Sequence, residues 1–341
     1  MNRIILKYLI TLSIVFGSTP FEYTMSFASG YDNNVMRFSD QDFSDAVRNP
    51  NILGGATTFD SYIFKYGLKG EKSVLKVKKK EVVLKGNIFF SDYRNNKEKK
   101  YWSGGGDFIF KWGGYKNIKY QIRHLNSFYL RHYINRDVSN DLYDPCYFTD
   151  RNQNISISQR YLKNSWSILT IGYLQRYYDR PFTEFDLDII FARAKHNYKL
   201  RNIGTFGIQY EYGKAKSSSG ELPLKPSSFD RSYMTSEVYL PLIIKKKIPM
   251  IDELGFSYRN ENRQYDAEDF NDPLHSGRSH KDFKYDFWIK KYLSDELKLN
   301  FKFRYRKRDT FSSYKWVSDL KSFNQIQTWI TIEWKIDYDN Y

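Results

Sequence analysis

Residues 297–308 read LKLNFKFRYRKR. Leu297, Leu299, Phe301, Phe303 and Tyr305 hold odd positions, while Lys298, Asn300, Lys302, Arg304, Arg306 and Arg308 hold the even ones. A period of two marks a β-strand whose two faces differ chemically. One face needs an apolar neighbour and the other is basic, so what each face meets decides the architecture.

The same alternation recurs along the chain. Tyr62, Phe64, Tyr66 and Leu68 share one face, as do Val82, Leu84, Gly86, Ile88 and Phe90. Phe185, Leu187, Ile189 and Phe191 alternate, and so do Ile326, Thr328, Ile330, Ile332, Trp334, Ile336 and Tyr338. Helical periodicity is convincing nowhere. The connections are of two kinds: short at 113–117, 162–165 and 293–296, long and polar at 132–147, 217–229, 265–281 and 309–325. Short and long alternate, as on the two rims of a membrane barrel. Strands are clear from about 82 to 338, and 57–80 offers one further hairpin, for twelve to fourteen in all.

The 341 residues carry a formal charge of +15, and 18% are aromatic. Such a balance suits nucleic acid, a membrane surface or an anionic solute. The first residues decide among these. Arg3 and Lys7 precede an apolar run over 8–17, too short to span a bilayer but suited to a signal peptide, and Ser26-Phe27-Ala28 fits the small-x-small cleavage rule. The expectation is a signal peptide over 1–28, a polar periplasmic or plug-like segment over 29–56 and a barrel over 57–341. Export argues against nucleic acid as a partner. No later stretch reaches 18 consecutive apolar residues, so membrane crossing requires a closed β-barrel. Cys146 is the sole cysteine, which excludes an internal disulfide or thiolate metal cluster.

The signal segment, the alternating strands and the final stretch TWITIEWKIDYDNY together resemble a bacterial outer-membrane β-barrel of the porin-like superfamily, with no particular member indicated. The resemblance implies a Gram-negative outer-membrane location and an all-β, antiparallel up-and-down transmembrane barrel. It also implies lipid and lipopolysaccharide as neighbours. The terminal aromatic, Tyr341, would be read by the barrel-assembly machinery, although the alternation breaks at Asp339-Asn340.

In such a barrel the second face of each strand lines the lumen. Lys298, Lys302, Arg304 and Arg306 would then join Lys119, Arg123 and Lys284 on a basic inner wall that favours anions. Arg308, nearest the loop, is a candidate for lipopolysaccharide phosphates at the outer rim. The expected function is a pore for small hydrophilic, preferentially anionic solutes, with no cofactor and no enzymatic activity. The alternatives are a non-conducting surface-binding or export-assisting barrel and an outer-membrane hydrolase. For the last, His124 and Ser127 fall on opposite faces of one strand, the wrong geometry for a nucleophile and its base. His132 caps the same strand at its loop end, and the loop at 265–281 holds Asp266, Glu268, Asp269, Asp272, His275 and His280, readable as a solvated loop, a cation site or an active site.

Overall fold

The computed structural model describes residues 21–135, 138–139, 141–217, 230–245, 249–269 and 271–338. Fourteen antiparallel strands close into one barrel in sequence order. They are β1 (Phe21–Asp32), β2 (Ser61–Val77), β3 (Lys80–Tyr93), β4 (Tyr101–Gly113), β5 (Lys116–Ile134), β6 (Tyr143–Leu162) and β7 (Ser165–Tyr178), followed by β8 (Leu187–Leu200), β9 (Gly204–Ser217), β10 (Tyr233–Ile244), β11 (Glu253–Tyr265), β12 (Ser279–Tyr292), β13 (Leu297–Phe311) and β14 (Phe323–Tyr338).

The fourteenth strand is not where the alternation placed it. Residues 57–80 supply one strand, β2, and the remaining one is β1, formed by FEYTMSFASGYD. It pairs with β14 from Phe21↔Tyr338 to Asp32↔Gln327, and with β2 on its other side. The barrel therefore begins at Phe21 rather than 57. Cleavage after Ala28 would strip most of the closing strand and leave β2 and β14 with open edges, which hydrocarbon does not tolerate. The rest of the expected signal peptide, 1–20, lies outside the described residues, as does Tyr341.

The outer surface carries the apolar band. Met25 and Phe27, Ile155 and Ile157, Leu169 and Ile171, and Ile330, Ile332 and Trp334 are all exposed there. One strand inverts its expected parity. On β8, Ile190 faces outward while Leu187, Ile189 and Phe191 are buried on the inner wall. The neighbours explain it, since Phe191 pairs with Gly172 on one side and Gly213 on the other. A Cβ on Gly172 would sit 2.1 Å from the Phe191 ring, so glycine makes the space that turns this aromatic inward. Trp288 lies over Gly255 in the same way, and its Nε1 donates to Glu253 at 3.1 Å. Gly105, within the glycine triplet of β4, is crossed by the Arg123 side chain.

Residues 33–60 form the first long loop, at the same rim as the other long connections. Within it, helix α1 (Asp40–Arg48) starts at a capping box. Ser39 Oγ accepts from Asp42 N at 3.0 Å, and the Asp42 carboxylate accepts from Ser39 N at 3.0 Å. The same carboxylate takes a 2.9 Å hydrogen bond from Arg131 of β5, which also donates to the Met36 and Arg37 carbonyls. Lys99 donates to Val35 O at 2.8 Å, and Gln325 of β14 donates to Asp32. Val35, Met36 and Phe38 are buried by these ties, and the loop is pinned across the mouth from β14 to β5.

Two measurements check this arrangement. Amino-terminal sequencing of the mature protein should place its first residue at or before Phe21; a start at Ser29 would break the closure of β1. Gly255→Val should push Trp288 off its seat into the lumen and lower single-channel conductance in planar bilayers, with the barrel still heat-modifiable on gels.

Candidate functional site

The inner wall consists of cations and carboxylates paired across neighbouring strands. Arg304 donates to Asp286 at 2.7 Å, and Lys302 reaches the same carboxylate at 3.4 Å. Lys298 and Lys69 both pair with Glu333. Arg123 contacts Asp107 at 2.8 Å, and Arg193 contacts Glu211 at 2.5 Å. Register explains the pairs: Asp286 faces Arg304 directly, and Glu333 faces Lys298. Among the described residues, no carboxylate lies within ion-pair distance of Lys119 or Lys284.

The two arginines at the top of LKLNFKFRYRKR converge on one acid. Arg306 and Arg308 share the carboxylate of Asp282, itself almost fully buried, with Arg308 Nη2 at 2.9 Å. Both also lie near the face of Phe323. Arg308 is thus on the inner wall and does not reach the outer leaflet, which corrects its assignment to lipopolysaccharide. Parity forces this, because Arg308 stands two residues from Arg306 on the same strand face.

Above this wall, under the long loops, lies a cavity of about 470 Å³. Four of its elements present the same pair of residues at i and i+2: Arg131 and Tyr133, Arg176 and Tyr178, Arg231 and Tyr233, Arg263 and Tyr265. The repeat Arg-x-Tyr is visible in the sequence, but it is short and spread over four strands, and reading each strand separately passes over it. Arg131 pairs with Asp42, Arg176 with Asp150 and Arg263 with Glu261. Each of the four also lies near an aromatic face: Arg131 on Phe38, Arg176 on Phe148, Arg231 on Phe185 and Arg263 on Tyr233, at 4.2–4.7 Å. Trp316 and Lys321, from helix α2 (Lys315–Lys321), complete the rim.

The histidines divide between wall and loops. His275 bonds Asp272 at 2.8 Å, and burial, the largest cause, lowers its pKa to about 4 against that partner's pull. Arg278 and Arg231 push the same way as burial. Lys99, in the loop before β4, is lowered to about 7 by burial and by Arg37 and Arg131. Burial is the larger cause at both groups, with nearby arginines acting in the same direction. His280 bonds Thr310, His132 bonds Tyr129, and His124 packs against Trp102 on the outer face. His196 lies 2.9 Å from Ser167 Oγ across two strands, on the outer face. His132, His275 and His280 all line the mouth cavity, and His275 and His280 both lie against the Tyr265 ring, but each bonds a different partner.

No protein-family model matches the chain, and no curated protein matches it. Solved outer-membrane proteins are similar at low levels. A loop-deletion mutant of OmpT of Vibrio cholerae is 7% identical with a TM-score of 0.45, covering 94% of this chain and 100% of that one. OpdK of Pseudomonas aeruginosa is 10% identical with a TM-score of 0.43, covering 93% and 99%. OccAB3 of Acinetobacter baumannii is 9% identical with a TM-score of 0.43, covering 94% and 100%. Similarity at that level says nothing of function, and the nature of the chain follows from its own geometry. A closed fourteen-strand barrel with an apolar outer band and a charged inner wall has the architecture of an outer-membrane β-barrel.

Proposed function

We propose that the protein is a pore for small hydrophilic solutes that prefers anions, and that it acts without catalysis. One observation carries the preference: carboxylates on the inner wall are shared by pairs of cations. Asp286 serves Lys302 and Arg304, Asp282 serves Arg306 and Arg308, Glu333 serves Lys69 and Lys298, and Glu253 serves Lys245 and Lys290. Each shared site leaves one positive charge in excess. Lys119 and Lys284 add charge that no carboxylate answers among the described ion pairs. In a narrow lumen walled by protein and lipid, such an excess lowers the barrier to anions and raises it for cations.

The remaining partners follow from the same reading. Lipid and lipopolysaccharide surround the apolar band, and the barrel-assembly machinery inserts the chain.

The test is electrical. The purified barrel in a planar bilayer under a potassium chloride gradient should give a reversal potential on the chloride side. Lys119→Glu with Lys284→Glu should cut the chloride-to-potassium permeability ratio several-fold, since neither lysine holds an ion pair whose loss would unfold the wall. Complete absence of conductance from a folded barrel would favour the non-conducting alternative, and an unchanged ratio in the double variant would place both lysines outside the ion path.

A further inference from the structure

On β3 and β4 the outer wall loses its side chains over a small area. Gly86 and Gly106 face each other across the two strands, and Gly104 faces Ile88. Parity puts all three glycines on the lipid side, with the exposed Leu84, Phe90, Trp102 and Phe108. A Cβ on Gly86 would meet nothing within 4 Å. Beside this bare area lies a groove of about 470 Å³ with Gly104 in its floor. Ile88, Trp102 and Ile122 border it on the apolar side, and His124, Arg151 and Gln153 on the polar side.

Arg151 is the unexpected member. It is exposed, and its place two strand positions above Gln153 and four above Ile155 turns it to the lipid side. Register sets it in one row with His124 and Gly104. The next outward row toward the long loops holds Trp102 and Tyr177, and the next toward the short turns holds Ile122 and Tyr173. Such aromatics mark the membrane interface, so Arg151 stands where headgroups meet the apolar band. Its guanidinium carbon lies 5.5 Å from the centre of the Tyr177 ring. Among the described residues no carboxylate lies within ion-pair distance of it. The acids of the flanking strands are engaged elsewhere. On the outer face Asp92 pairs with Lys100 at 3.4 Å, and Asp188 accepts from Tyr173 Oη at 2.6 Å. On the inner wall Asp107 pairs with Arg123 and Asp150 with Arg176. A guanidinium held against lipid is costly unless an anion meets it there.

We propose that this groove binds one phosphate-bearing lipid of the leaflet at the long-loop rim, with Arg151 on the headgroup phosphate and an acyl chain over Gly104 and Gly106. An apolar groove beside a single cation matches an amphiphile. Glycine lets a chain approach the backbone closely and gain contacts there, and arginine suits a phosphate. A free phosphate would leave the apolar floor uncovered. A second copy of this chain, with its formal charge of +15, is a poor electrostatic match for Arg151. The site gives lipopolysaccharide the contact that Arg308, on the inner wall, does not make. It rests on the reading of the chain as a barrel in lipid and not on conduction, so it and the pore reading fail separately.

The experiment is native mass spectrometry of the full-length barrel, folded in detergent, with added lipid A. The wild type should hold one lipid A more tightly than any further ones. Lipid A stripped of its phosphates should bind about tenfold more weakly. Arg151→Gln should weaken the tight site by about tenfold, and Arg151→Lys, which keeps a charge for the phosphate, should weaken it less. Ile122→Trp should also weaken it, by filling the groove from an exposed position. Conductance should be the same in all three variants, because both residues face lipid. Four results would each overturn the proposal: equal binding of the stripped lipid, a ladder of equivalent lipids unchanged by Arg151→Gln, displacement of lipid A by inorganic phosphate, or a dimer that Ile122→Trp dissolves. A barrel that conducts but holds no lipid A would overturn it as well, and would leave the pore reading intact. A barrel that holds lipid A without conducting would sustain it and remove the pore reading.

Discussion

The hydrogen-bond ladder between β1 and β14 is the constraint on which the molecule depends. In hydrocarbon an unpaired backbone amide or carbonyl has no water to turn to, so a sheet can cross only when it has no edge. Phe21 to Asp32 supplies the strand that removes the last edge, and its pairing with both β2 and β14 joins the first and last strands of the barrel. Inside and outside are defined only once that seam is closed. The alternation along every strand then sorts apolar side chains to lipid and charged ones to the lumen.

Closure in turn places the charges. Side chains that are far apart in sequence, such as Lys69 and Glu333, become neighbours only across the seam. The inner wall thereby becomes a lattice of cross-strand ion pairs in which acids are outnumbered. Individual exposed pairs contribute little to stability. The buried fork of Arg306 and Arg308 on Asp282 is different, because a carboxylate removed from there would leave two cations without water or counter-ion. The same pairing that holds the wall together leaves cations in excess among the pairs, so the proposed anion preference rests on the residues that hold the strands to one another, and the mouth cavity carries further arginines held against aromatic rings.

Much of this was legible in the chain. LKLNFKFRYRKR announces a two-faced strand, the alternation of short and long connections announces a barrel, and Arg304 is where parity puts it, on the inner wall. Three readings went astray for physical reasons. FEYTMSFASGYD alternates as well as its neighbours, but Ser26-Phe27-Ala28 also satisfies a cleavage rule, and local sequence cannot say which use prevails. On β8 both faces carry apolar residues, and the choice of face belongs to Gly172 and Gly213 on the adjacent strands. Arg308 was read by its nearness to a loop, when the buried acid at Asp282 across the pair determines its direction.

The sequence by itself determined the period of two, the excess of basic residues and the apolar band, because those depend only on which residue stands at each position along an extended chain. Tertiary structure decided which strand closes the barrel, how each carboxylate is divided between cations, and that four distant Arg-x-Tyr pairs surround one cavity. Those facts depend on register between strands. Register is set by turns, by glycines that admit a neighbour's ring, and by the requirement that no edge remain open.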